Sequence, residues 1–116
     1  MKDDVVLLSR IIKYCTEIKD DQKRFGNSFD NFLEDLSYQR SCSMSLMQIG
    51  ETVNKLSHEF RERHDEIDWV SVIGFRNLVA HKYESLNCAM VWEIIIENVP
   101  KLKQICEKIL IEKDVP

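Results

Sequence analysis

The sequence predicts an all-α protein, an antiparallel bundle of four or five helices, and two observations support this fold class. Apolar residues recur at three- and four-residue steps along most of the chain, which is the spacing of one face of a helix. Only three glycines and two prolines occur in 116 residues, too few for a protein of many short strands and turns. The length is that of one domain, so residues 1–116 are expected to form a single domain.

The first helix is predicted over roughly residues 3–20. Asp20 to Lys23 is a polar segment that is expected to break it, and Asn27 or Ser28 can cap the next helix by accepting a backbone amide proton. The apolar face of the first helix consists of Val5, Leu8, Ile11, Ile12, Cys15 and Ile18.

A second periodic stretch runs from about Phe29 to Arg63. This length indicates either one long helix or two helices with a bend near Ser41 to Ser45. Gly50 lies inside the stretch, where glycine costs about 1 kcal/mol relative to alanine. Close packing against another helix would compensate for that cost, so Gly50 is predicted to lie at a helix contact. The Met44–Met47 pair and the aromatic set Phe29, Phe32 and Phe60 are expected in the core.

A third, shorter helix is predicted from Trp69 to about Lys82, after a turn at His64 to Asp68. Asp68 is a suitable N-cap for it. The turn residue His64 and the nearby His58 are six positions apart and form no His-Glu-x-x-His motif, so both are expected at the solvated surface rather than on a metal.

The remainder of the chain is also helical in pattern. Glu84 to Asn87 is predicted as a loop, with Asn87 as the cap of a fourth helix over Cys88 to Asn98. Pro100 lacks an amide proton, so it should begin a new helical segment or kink the old one. The last helix is predicted over Lys101 to Lys113.

Charge and cysteine content limit the function classes. The net charge is −4 and the pI about 5.4, whereas proteins that bind nucleic acid over a broad surface are usually basic. An RNA-binding role must therefore rest on a local site, and no DNA partner is expected. The four cysteines have neither zinc-clip nor disulfide-scaffold spacing, so reduced, mostly buried thiols are expected. No signal peptide or apolar run of membrane-spanning length occurs, which favours a cytoplasmic protein without a membrane partner.

The third predicted helix carries unusual polar residues in an otherwise apolar stretch: Arg76, Asn77, His81 and Tyr83. They can simply form the solvent-facing side of a helix, with Asn77 and His81 hydrogen-bonded at i,i+4. They can also form a reactive site. On an ideal helix Arg76 and His81 lie about 140° apart, so they converge only if Arg76 reaches round, the helix frays, or a second chain completes the site.

These residues resemble a known family. Residues 73–83 (IGFRNLVAHKY) are similar to the Arg-x4-His-x-Tyr signature of HepT-like HEPN domains. Residues 47–51 (MQIGE) resemble the Ile-Gly-Glu segment of that family, and residues 65–69 resemble its Ile-Pro-Trp turn, with Asp68 where proline is common. Residues 91–93 and 98–102 resemble its Val-Trp and Leu-Pro segments. The similarity spans about residues 30–110, with Lys82 departing from the frequent glycine.

The resemblance implies a helical bundle that pairs as a homodimer, with two Arg/His motifs facing each other across a cleft. It further implies a metal-independent endoribonuclease toxin without a cofactor, acting on RNA, whose partner is a minimal nucleotidyltransferase antitoxin. Arg76 and His81 are then the catalytic residues, and Asn77 and Tyr83 support substrate binding. Tyr83 is also the expected target of adenylylation by the antitoxin.

The residue types fit this chemistry. Histidine can accept or donate a proton at neutral pH, and arginine suits the charge that accumulates on phosphoryl oxygens. Glu51 is expected either to contact the region of Arg76 or simply to be exposed. The alternative function is a non-catalytic module that binds nucleotide or docks the nucleotidyltransferase, which the negative net charge favours.

Overall fold

The computed structural model describes residues 2–79 and 87–114, and the described residues are helical with short connections between helices. Within these two ranges seven α-helical segments follow one another. They are α1 (Lys2–Phe25), α2 (Phe29–Glu34), α3 (Leu36–Asn54), α4 (His58–Arg63), α5 (Trp69–Val79), α6 (Cys88–Glu93) and α7 (Val99–Asp114), with a π-helical turn at Ile94–Asn98 between the last two.

The long helices form an antiparallel bundle around one apolar core, as predicted. Helix α1 lies against α3 in the opposite direction, because Asp4 near its start bonds Ser57 beyond the end of α3, while Asp21 near its end bonds Ser41 near the start of α3. Helices α5 and α7 complete the bundle through α3 and α1 respectively. The largest fully buried side chains are Tyr38, Phe32, Phe60, Leu8, Ile11, Ile18, Leu46, Ile49, Ile95, Val53 and Val91.

The predicted polar break at residues 20–23 is wrong, since α1 continues to Phe25. Polar residues are compatible with the exposed end of a helix, and the true stop is Gly26, whose φ of +102° favours glycine. The Gly26 amide donates to the Gln22 carbonyl at 3.0 Å, which satisfies one of the free carbonyls at the helix end. Ser28, rather than Asn27, caps α2 through the Asn31 amide.

The stretch from Phe29 to Arg63 contains three helices, and the predicted bend near Ser41 to Ser45 is wrong. Helix α3 is continuous there. The chain breaks instead at Asp35, whose carboxylate accepts the Ser37 and Tyr38 amides, and before α4, which Ser57 caps. Both breaks occur where a capping side chain offers an amide proton an alternative acceptor.

Several predicted features at the later helices are confirmed. Asp68 accepts the Ser71 amide near the start of α5, and Asn87 accepts the Met90 amide at the start of α6. Pro100 is the second residue of a new segment, α7, which the π-helical turn joins to α6. The predicted end of the third helix, near Lys82, lies outside the described residues, as does the loop at 84–86.

Three smaller expectations are corrected. Met44 is 51% exposed rather than in the core. The side chain of His64 is only 17% exposed, and its ring packs on Phe60 at 4.5 Å, whereas His58 lies at the surface as expected. Phe32 and Phe60 are buried, while Phe29 is only half-buried.

The cysteines are all free thiols, three of them buried and Cys88 partly so.

Within the described ranges, no helix is both long and apolar enough to cross a membrane.

Candidate active site

Helix α5 carries the first half of the predicted motif, and its start is fixed by several contacts. The Trp69 indole donates to the His64 carbonyl at 2.7 Å, and its ring lies 6.0 Å from that of Phe60. Val72 and Phe75 are buried along the inner side of the helix. These contacts set the rotation of α5 and thereby determine which of its side chains point away from the core.

Gly50 allows α5 to approach α3 very closely. A Cβ atom at Gly50 would lie 3.0 Å from the Ile73 carbonyl oxygen, and 3.2 Å from both the Cβ and the backbone nitrogen of Arg76. Two of these three neighbours are backbone atoms, which cannot move without shifting the helix. The predicted role of Gly50 as a close helix contact is therefore confirmed, and the contact lies directly at Arg76.

Arg76 makes an ion pair with the residue next to Gly50. Its Nη1 donates to Glu51 Oε1 at 2.9 Å, with the two side chains 32% and 51% exposed. Of the two expectations for Glu51, contact with Arg76 is the correct one, although the carboxylate remains half in solvent. The arginine is thus anchored on α3 at a place that solvent, and hence a solute, can reach.

The outer side of α5 is open in this chain. Asn77 is exposed, Val70 is 77% exposed, and a Cβ added at Gly74 would meet no atom within 4 Å. On an ideal helix these three positions fall within about 60° of one another. Asn77 therefore lies on a different side of α5 from Arg76, which is turned towards α3.

The exposed side of α3 brings apolar residues close to the ion pair. Met44 precedes Glu51 by two helical turns and lies about 20° from it around the helix, while half-buried Met47 lies about 40° from it. Met47, one helical turn before Glu51, is therefore the nearer of the two methionines to the ion pair.

His81 and Tyr83, the other two predicted site residues, lie outside the described residues. The structure therefore brings together Arg76 and Glu51, and places Asn77 on the adjacent open side. In the part of the chain that the structure describes, no group of three or more His, Cys, Asp or Glu is arranged to hold a metal ion.

The antiparallel helical bundle, with the arginine of an Arg-x4-His segment partly exposed on its fifth helix, defines a HEPN-type domain. The family model described as "Ribonuclease HepT-like" matches residues 11–109. The chain belongs to the HepT-like family.

Curated relatives agree with this assignment. The chain is 34% identical over 110 residues to a protein of Caldanaerobacter subterraneus subsp. tengcongensis named "Putative RNase", covering 95% of this chain and 96% of the relative. It is 30% identical over 81 residues to the "Probable ribonuclease HepT" of Thermococcus cleftensis, covering 70% of this chain and 74% of the relative. No solved structure matches the chain.

Proposed function

We propose that this protein is a metal-independent endoribonuclease toxin, with Arg76 and His81 as its catalytic residues. The observation that carries the proposal is the placement of Arg76, anchored on α3 by Glu51 yet one third exposed beside an open helix side. Membership of the HepT-like ribonuclease family supports it. In this proposal residues 1–116 form one HEPN domain, and the protein acts in the cytoplasm on RNA without a cofactor.

The reaction assigned to these residues is attack of an RNA 2′-oxygen on the adjacent phosphorus. The new bond joins phosphorus to the 2′-oxygen, and the bond to the 5′-oxygen breaks, leaving a 2′,3′-cyclic phosphate and a 5′-hydroxyl. Histidine can take the 2′-hydroxyl proton or protonate the leaving oxygen, each typically contributing about 10²–10⁴-fold. Arg76 would bind the phosphoryl oxygens as their charge grows, and Asn77 and Tyr83 would hold the substrate.

The site is proposed to be completed by a second copy of the chain. Arg76 and His81 are about 140° apart on an ideal helix, so a homodimer that pairs the two motifs would supply both residue types to one cleft. The open side of α5, with Val70 and Asn77 exposed, supports this arrangement. We expect Val70→Lys to weaken dimer formation and cleavage together, because it places a charge in the contact without touching the bundle core.

The decisive experiment compares wild type with Arg76→Ala and His81→Ala on mixed RNA in the presence of EDTA. Cleavage by wild type alone, with both variants folded and dimeric, is the expected result. Arg10→Ala is the matched control, because Arg10 is an exposed arginine on α1 whose loss changes the net charge equally. Equal activity of Arg76→Ala and Arg10→Ala would contradict the assignment.

A minimal nucleotidyltransferase is the proposed antitoxin, and Tyr83 is the proposed site of adenylylation. An adenylyl group there would add bulk and negative charge beside the phosphate-binding arginine. Co-expression with the nucleotidyltransferase, followed by intact mass and peptide mapping, should show the group on the wild type and not on Tyr83→Phe. Unmodified Tyr83 after co-expression with an active partner would contradict this part of the proposal.

The second candidate is a non-catalytic module that binds nucleotide or docks the nucleotidyltransferase. The net charge of −4 favours it, because proteins that bind nucleic acid over a broad surface are usually basic. It predicts that wild type, Arg76→Ala and His81→Ala are equally inactive on RNA, while binding of the partner depends on Arg76.

A further inference from the structure

Arg76 is held by a single described hydrogen bond, and its side chain is 32% exposed. Its described hydrogen bond is made by Nη1 alone, to one oxygen of Glu51 at 2.9 Å. A guanidinium carries five N–H donors in a planar fork. Among the described residues Nη2 and Nε make no hydrogen bond, so this single bond orients the fork and leaves two donors for a bidentate phosphate.

We propose that Glu51 is a positioning residue, which aims the Arg76 guanidinium at the RNA phosphate and makes no contact with substrate itself. The inference rests on the proposed nuclease function and adds a residue to it. Glu51 is suited to the role because the adjoining Gly50 lets the backbone of α5 come within contact distance of α3. The carboxylate is thereby fixed opposite Arg76 by the packing of two helices rather than by a flexible loop.

Stability alone gives little reason for this pair. Both side chains are substantially exposed, at 32% and 51%, and ion pairs of that kind contribute little to the free energy of unfolding. A positioned cation, in contrast, matters strongly for catalysis, since displacing a catalytic group by about 1 Å can cost 10²-fold in rate. The carboxylate also repels the incoming phosphate, so its removal should not weaken substrate binding.

The positioning role of Glu51 and the phosphate-binding role of Arg76 predict different effects of losing each side chain. For Glu51→Ala we expect kcat to fall roughly 10- to 100-fold, with the KM for RNA unchanged or lowered. For Arg76→Ala we expect cleavage to be lost and the binding of RNA to weaken, because the phosphate contact itself is lost. Glu51→Gln keeps an amide oxygen that can accept from Nη1, so it should recover most of the lost kcat.

The test measures kcat and KM of wild type and both Glu51 variants on one RNA, together with cleavage and RNA binding by Arg76→Ala. Circular dichroism and thermal unfolding establish that each variant is folded. Glu97→Ala is the control, because it removes an exposed carboxylate from the π-helical turn with the same change in net charge. Wild-type kcat in Glu51→Ala, with Arg76→Ala inactive, would overturn the inference and leave the nuclease proposal standing. Equal impairment of Glu51→Gln and Glu51→Ala would also overturn it. Wild-type activity in Arg76→Ala would instead refute the proposed function.

Discussion

Gly50→Ala should destabilise the protein, against the ordinary effect of this substitution in a helix. Replacing an interior helical glycine with alanine normally gains about 1 kcal/mol. Here the new methyl group would meet the Ile73 carbonyl oxygen at 3.0 Å and the Arg76 backbone nitrogen at 3.2 Å. These distances are tighter than ordinary van der Waals contact, and overpacking of this kind costs roughly 1–3 kcal/mol. We therefore expect a net loss of about 0–2 kcal/mol, accompanied by displacement of α5.

Gly74→Ala is the matched control, since a Cβ added at Gly74 on α5 meets no atom within 4 Å. It should show the full gain of about 1 kcal/mol, so that the two variants differ by roughly 1–3 kcal/mol. Urea denaturation of both variants at one protein concentration measures this difference. A Gly50→Ala protein as stable as Gly74→Ala would refute the reasoning. RNA cleavage by Gly50→Ala should fall as well, because the clash lies at the backbone of Arg76.

Three further predictions concern the rest of the fold. Asp4→Ala should cost about 1–3 kcal/mol in urea denaturation, because buried Asp4 accepts the Ser57 amide at 2.9 Å and the Ser57 hydroxyl at 2.8 Å; an unchanged midpoint would contradict this. A thiol reagent should label Cys88 first in the native protein, since burial raises the pKa of every cysteine but leaves Cys88 the least enclosed; equal labelling rates would contradict it. Hydrogen bonds from Ser71 lower the pKa of Asp68 in the folded protein. The charged carboxylate therefore stabilises the fold at pH values above the unfolded pKa of about 3.9. This stabilisation is lost as the pH falls through the pKa of the folded state. The thermal-midpoint difference between wild type and Asp68→Asn should therefore shrink in acid, and a constant difference would contradict it.

Periodicity predicted where the long helices lie, and capping residues explain where that prediction failed. The apolar spacing correctly indicated a bundle, because burial of one face is what stabilises these helices. It could not place the breaks at Asp35 and Ser57, since the apolar pattern continues across both. Ser57 is fixed by Asp4, 53 residues earlier in the chain, and no local pattern contains that contact. The length of the stretch suggested a bend near Ser41 to Ser45, yet Ser43 and Ser45 are buried inside a continuous α3.

The exposure of individual side chains was harder to predict than the location of the long helices. A methionine on a helical stripe is ordinarily a core residue, but Met44 of α3 is 51% exposed. His64 follows a charged helix end and was expected in solvent, yet the ring packs on Phe60 while its carbonyl binds the Trp69 indole. Both outcomes depend on how α4 and α5 fold back on α3, which is tertiary information.

The two motif segments that the sequence offered separately form one unit in the structure. Residues 47–51 indicated family resemblance and a helix contact, while Arg76 indicated phosphate chemistry, and contact between Glu51 and the region of Arg76 was one of two open expectations. Gly50 removes the Cβ that would hold α5 away, and Glu51, the next residue, then reaches Nη1 of Arg76. Gly50 allows the close approach of α5, and Glu51 orients the side chain that this approach brings near. Both residues are thus explained by the position of the Arg76 guanidinium. The expected cost of a larger residue at 50 and the expected kinetic effect of losing Glu51 are therefore two consequences of the same α3–α5 contact.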